Sequence, residues 1–171
     1  MSDFYKEYFN AMNICVTKVD HDQLTQISKL IMETSKSGKK VIVVGNGGSA
    51  ADAQHFAGEL VSRFNFDRPP LSAIALTTDT SILTAVSNDY GYEDVFARQI
   101  QAHGRVGDVL IAISTSGNST NIHRAIQTAK SLGLVVIGLT GLSGGGMKAM
   151  CDICFTAPSN STPRIQECHL F

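Results

Sequence analysis

Two strand–loop–helix units constrain this chain most. In the first, Val41-Ile42-Val43-Val44 runs into Gly45-Asn46-Gly47-Gly48-Ser49 and then a helical stretch to Arg63. In the second, Val109-Leu110-Ile111-Ala112-Ile113 runs into Ser114-Thr115-Ser116-Gly117-Asn118-Ser119 and then a helix to Leu132. A short run that is apolar at every position suits a strand covered on both faces, as in a parallel sheet. Strands of this kind are expected at Lys40–Val44, Ser72–Leu76, Val109–Ile113, Leu134–Leu139 and Asp152–Phe155. Helical segments separate most of them, which predicts an α/β fold with a parallel sheet and right-handed crossovers. Helical periodicity over Phe4–Val19 and Gln23–Ser37 precedes the first strand, and Gly38 stops the second of these helices. Arg68-Pro69-Pro70 breaks the chain before the second strand, and Gly144-Gly145-Gly146 makes a flexible turn after the fourth.

Each unit opens its helix with a small polar loop. Backbone N–H groups at a helix start, with the positive end of the helix dipole, stabilise an anion. Both loops lie at carboxyl ends of strands, so they can face one crevice at a switch point of the sheet. The first is neither a dinucleotide fingerprint, since the later glycine is missing, nor a Walker loop, since no Gly-Lys-Ser/Thr follows. A generic tight turn explains its glycines but not Asn46 and Ser49 together. The second offers the hydroxyls of Ser114, Thr115, Ser116 and Ser119 beside Gly117. Helix capping by Ser116 or Asn118 needs one such group, whereas a phosphate monoester can use them all. Two such loops predict a phosphorylated ligand held at both ends.

On the helix after the first loop, His55 and Glu59 stand four apart and share a face. An imidazole and a carboxylate so spaced can bind a divalent metal, act as an acid–base pair, or simply make a surface contact. Arg164-Ile165-Gln166-Glu167-Cys168-His169 begins a last helix, and His21, His103 and His123 read as partnerless surface residues. Of the four cysteines, Cys15, Cys151, Cys154 and Cys168, the pair Cys151 and Cys154 forms a lone C-x-x-C in a strand-like segment and reads as small buried residues rather than a redox or zinc motif.

With a net charge of -1 and no basic run, nothing points to nucleic acid or an anionic membrane. Met1-Ser2-Asp3 lacks the features of a secretory leader, and no apolar run approaches the ~20 residues of a membrane span. A cytoplasmic protein is expected.

Taken together, Gly45-Asn46-Gly47-Gly48-Ser49, His55-Phe56-Ala57-Gly58-Glu59-Leu60, Asn88-Asp89-Tyr90-Gly91, Ile113–Ser119 and Arg164-Ile165-Gln166-Glu167 resemble the sedoheptulose 7-phosphate isomerases of the sugar isomerase (SIS) domain group. The likeness covers nearly the whole chain in order and spacing. It implies a single SIS domain over residues 1–171: a flavodoxin-like three-layer sandwich around a central parallel sheet. The N-terminal helices, residues 1–37, would pack on the core or on a neighbouring subunit. It implies a homotetramer with interface active sites, converting sedoheptulose 7-phosphate to D-glycero-D-manno-heptose 7-phosphate for bacterial surface polysaccharide. By position, Ser114, Thr115, Ser116 and Ser119 would hold the phosphate. Asn46, Gly47, Gly48, Asn88 and Asp89 would line the sugar, with Ser49 and Gln166 completing the substrate-binding set. Glu59 would be the catalytic base, and His55, Glu59 and Gln166 the ligands of one zinc ion per subunit. The family carries a further histidine that would fall at position 174, past Phe171, so the last helix reads as cut short. Pro163 stands where some members carry an acidic residue. Two relatives of other classes remain as readings: SIS proteins that bind the replication initiator, and sugar-phosphate-binding regulatory modules.

Overall fold

The computed structural model describes residues 2–170. Its centre is a sheet of β1 (Val41–Gly45), β2 (Ala73–Ala75), β3 (Val109–Ile113), β4 (Val135–Thr140) and β5 (Ile153–Thr156). All neighbouring pairs are parallel, in the order β2-β1-β3-β4-β5. The strands fall where the apolar runs predict, shifted by a residue at most boundaries. β2 is the exception in length: only Ala73–Ala75 pair, at the sheet edge.

Alternate side chains of each strand serve two separate cores. Val41, Val43, Val109, Ile111 and Ile113 point one way and Ile42, Val44, Leu110 and Ala112 the other. The first face is covered by α2 (His21–Lys36), α3 (Gly48–Val61) and α7 (Thr162–His169), through Ile27, Ile31, Ala53, Ala57 and Ile165. The second is covered by α5 (Val95–His103) and α6 (Thr120–Ser131), through Phe96, Ile100, Ile122 and Ile126. Burying each Val, Ile or Phe side chain is worth ~1.5–3 kcal/mol, so a strand apolar on both faces is stable only between two helical layers. α4 (Thr80–Tyr90) links β2 to α5 through a 3-10 helix, Tyr92–Asp94.

Local chemistry sets the helix ends. Asp20 caps α2 by accepting from the N–H groups of Asp22 and Gln23 at 3.0 and 3.1 Å, and Gly38 follows it at φ +68°. Asp79 caps α4 through the Ile82 N–H at 2.9 Å. At the amino end of the sheet, Asp108 ties β1 to β3. Its carboxylate accepts from the Lys40 N–H at 3.1 Å, from Lys40 Nζ at 2.5 Å and from the Arg105 N–H at 2.9 Å.

α1 (Ser2–Thr17) lies outside these layers and buries only Cys15 among its described side chains. It is held to α7 by Arg164, whose guanidinium stacks 3.7 Å over the Tyr8 ring and donates to the Tyr8 carbonyl at 2.9 Å. No helix among the described residues is long and apolar enough to cross a membrane.

Candidate active site

The strand order reverses between β1 and β3, so the crevice for a ligand opens beyond their carboxyl ends. The first loop turns there because its glycines permit it. Gly47 holds φ +56°, and a Cβ on Gly48 would collide with the side-chain amide of Gln166 from α7. Ser49 is buried in line with Ala53 and Ala57 on the sheet-facing side of α3. Asn46 crosses the crevice: its Nδ2 donates to Asn121 Oδ1 at 2.9 Å, and Asn121 Nδ2 donates back to Asn46 Oδ1 at 2.8 Å. The Tyr92 hydroxyl donates to the same Asn46 oxygen at 3.0 Å.

The second loop keeps its hydroxyls together, with Ser116 Oγ also accepting from the Asn118 N–H at 3.2 Å. Ser114 Oγ lies 3.1 Å from Ser119 Oγ and 3.5 Å from Ser116 Oγ. Ser119 is the N-cap of α6 but makes no side-chain capping bond, so capping does not account for the hydroxyls. Thr115 is partly exposed and Ser116 exposed beside them. The loop is braced from behind. Met147 N–H donates to the Gly117 carbonyl at 3.0 Å, and Gly146 N–H donates to Asn118 Oδ1 at 2.8 Å. His123 corrects its expected surface role: its Nε2–H donates to the same Gly117 carbonyl at 2.8 Å. A carbonyl only accepts, so the ring proton sits on Nε2.

Further along α3, His55 Nε2 and Glu59 Oε1 are 3.3 Å apart, as the four-residue spacing predicts. They border a cavity of about 260 Å³ with Asp52, Phe56, Ile113 and His169 among its walls. Burial raises the Asp52 carboxyl above its ordinary range, against the opposing pull of His55. Burial likewise lowers His169, against the Thr140 carbonyl that its Nε2–H reaches at 3.2 Å. Asp52 Oδ2 and His169 Nδ1 are buried without a partner among the described residues.

Most of the expected site residues therefore fall into three groups. Asn46, Gly47 and Gly48 meet at the crevice, with Gln166 over Gly48; Ser114, Thr115, Ser116 and Ser119 form the hydroxyl loop; His55 and Glu59 share the cavity. Asn88 and Asp89 sit at the exposed end of α4, where Asn88 Nδ2 donates to Asp89 Oδ1 at 2.8 Å. The hydroxyl loop does not line the Glu59 cavity. Among the described residues, no three His, Cys, Asp or Glu side chains gather as a metal-binding group. His55 and Glu59 are donors of the kind zinc takes, and they supply two positions of its shell. Position 174 lies outside the described residues.

Sequence reasoning missed Asn121, Tyr92, Asp52 and His169. Asn121 stands two residues past Ser119 and Tyr92 two past Tyr90, so each was one turn from a motif already read. Asp52 precedes His55 by three residues on the same helix face.

Fold and site define an α/β protein with two anion-ready loops at a switch point. The SIS-domain family pattern matches residues 5–141. The phosphoheptose isomerase of Aneurinibacillus thermoaerophilus is 51% identical over 175 residues, covering 99% of this chain and 88% of the relative. Phosphoheptose isomerase 2 of Campylobacter jejuni is 61% identical over 140 residues, covering 82% and 70%. Among solved structures, the phosphoheptose isomerase of Neisseria gonorrhoeae superposes with a TM-score of 0.91 at 40% identity, covering 99% of this chain and 92% of that one. The chain belongs to the SIS-domain family and, within it, to the phosphoheptose isomerases.

Proposed function

We propose that this protein interconverts sedoheptulose 7-phosphate and D-glycero-D-manno-heptose 7-phosphate, as an aldose–ketose isomerase supplying bacterial surface polysaccharide. One observation carries the chemistry. Glu59 is a carboxylate set by His55 in a cavity with apolar Phe56 and Leu60, on the helix that the first ligand loop opens. Isomerisation moves a proton between adjacent carbons through an enediolate, which requires a base beside that bond. Glu59 takes the proton from C1 of the ketose and returns it to C2, giving the aldose. The hydroxyls of Ser114, Thr115, Ser116 and Ser119, with the N–H groups opening α6, hold the phosphate at the far end. Asn46, Gly47, Gly48, Asn88 and Asp89 contact the sugar, with Ser49 at the start of α3 and Gln166 against Gly48.

His55, Glu59 and Gln166 would hold a zinc ion. Bound there, it would act as a Lewis acid on the developing oxyanion. The protein works in the cytoplasm as a homotetramer whose active sites form at subunit interfaces. In support of this, the hydroxyl loop of the same chain does not line the cavity that holds the base, and α1 exposes Phe4, Tyr5 and Phe9. A lone protomer would show such aromatics as an unpartnered patch. Light scattering tests the assembly, and a monomer mass at micromolar concentration would remove it.

Glu59→Gln tests the base. Isomerisation should fall ~100- to 10,000-fold, with phosphate affinity kept. Exchange of the substrate C–H proton with deuterated solvent should stop as well. Normal exchange in this variant would move the base elsewhere, and no isomerisation by wild type would favour the initiator-binding reading.

A further inference from the structure

Cys151 and Cys154 flank the start of β5, away from the ligand crevice. Both sulfurs turn toward Gly138 in β4, where a Cβ would stand 2.7 Å from Cys151 Sγ and 3.2 Å from Cys154 Sγ. The space that a Gly138 side chain would fill is thus the niche the two thiols share. The backbone around them is anchored. Cys151 N–H donates to the Met147 carbonyl at 3.2 Å, and Asp152 N–H to the Val136 carbonyl at 2.9 Å. The Asp152 carboxylate accepts from the Val136 N–H at 2.8 Å and from Lys130 Nζ at 3.1 Å. Neither cysteine is fully buried, whereas Cys15 and Cys168 are 5% and 3% exposed.

The two thiols are unequal. The neighbouring Cys151 thiol lowers the Cys154 thiol, aided by the Lys148 charge against burial. The neighbouring Cys154 thiol, with burial, pushes Cys151 up. Cys154 is therefore the more readily ionised of the two thiols and the better placed to act as the attacking thiolate. Cys168 is pushed up to about 12, by burial first and then by the neighbouring Cys15 thiol, which disfavours its thiolate.

We propose that Cys151 and Cys154 form a reversible dithiol–disulfide site whose oxidant is a low-molecular-weight disulfide, and that its closure stiffens the brace behind the hydroxyl loop. The Cys154 thiolate attacks one sulfur of the small disulfide, forming a mixed disulfide and expelling the first small thiolate with the electron pair. Cys151 gives up its proton and attacks the Cys154 sulfur, which expels the second small thiol. Two cysteine thiols are oxidised by two electrons, and one small disulfide is reduced to two thiols that carry the protons away. Cys151 ends the turn begun by the 3-10 helix Gly146–Ala149, whose Gly146 and Met147 amides hold Asn118 and Gly117. A bond from Cys151 to Cys154 fixes the free end of that turn to β5.

The reduced protein is incubated with oxidised glutathione, then followed by intact mass, peptide mapping and hydrogen exchange. Wild type should lose two hydrogens in the peptide holding Cys151 and Cys154, and Cys15→Ser with Cys168→Ser should behave alike. Cys151→Ser should stop at a glutathione adduct on Cys154, and Cys154→Ser should react ~10-fold more slowly or not at all. Exchange at the Gly146 and Met147 amides should slow in the oxidised form. Free thiols at both positions, or oxidation at Cys15 and Cys168 instead, would overturn the site. A disulfide that leaves Gly146 and Met147 exchange unchanged would overturn the brace.

Discussion

Asn121 shows how much one side chain can decide. It is 4% exposed and closes a reciprocal amide pair with Asn46, joining the two ligand loops across the crevice. Removing one partner of a buried pair leaves the other unsatisfied at ~1–3 kcal/mol. Asn121→Ala should therefore cost ~1–3 kcal/mol of unfolding free energy in urea and raise KM more than it lowers kcat. Unchanged KM would show that Asn46 does not need this partner to meet the sugar. Gly48 makes the complementary case: a methyl there meets the Gln166 amide. Gly48→Ala should displace Gln166 and lower kcat/KM, while Gly58→Ala, whose Cβ meets nothing within 4 Å, should not destabilise the fold. Equal kinetics for Gly48→Ala and wild type would mean that Gln166 has no part in the site.

At the scale of elements, the start of α6 concentrates the anion-binding features. The Ser119 side chain caps no first-turn N–H group and holds its hydroxyl 3.1 Å from that of Ser114. Replacing Ser116 and Ser119 together by alanine should weaken binding of the phosphorylated sugar by a few kcal/mol, at about one per hydrogen bond and more for a charged acceptor. Calorimetry showing an unaltered Kd would displace the phosphate from this loop. The same element shows why motif reading reaches only so far. The hydroxyls were legible as a cluster at a helix start, because four in six residues exceed what a cap needs. The brace was not: His123, Gly146 and Met147 reach Gly117 and Asn118 only after α6 and the turn behind β4 fold back together.

For the whole molecule, two acid-sensitive groups lie at opposite ends of the sheet. Burial opposes ionisation of Asp108, but the hydrogen bonds from Lys40 and Arg105 and the Lys40 charge outweigh it and hold the carboxyl below its ordinary range. Its contribution is complete above the unfolded value of ~3.9 and is lost as pH falls through the lower folded value. Burial lowers His169, so between its folded value and ~6.5 the unfolded chain binds a proton that the folded one does not. That contribution is complete above ~6.5 and is lost as pH falls through the folded value. Stability in urea should therefore decline in two windows. His169→Gln should flatten the one just below pH ~6.5, and Asp108→Asn the one below ~3.9. A His169→Gln profile parallel to wild type from pH 7.5 to 5, a range chosen to span the ~6.5 midpoint, would remove the histidine from this account.

The sequence by itself determined the strands, the two ligand loops and the His55–Glu59 pair. Each of these rests on a short-range rule: apolar runs, glycine and hydroxyl chemistry at helix starts, or the four-residue helical repeat. The tertiary structure alone decided the partners. Asn46 meets an asparagine 75 residues away, Gln166 lies on Gly48, Arg164 stacks on Tyr8, and two thiols share the space at Gly138. None of these follows from local pattern. They follow from the order β2-β1-β3-β4-β5, which sets the carboxyl ends of β1 and β3 side by side and presses α7 against both α3 and α1.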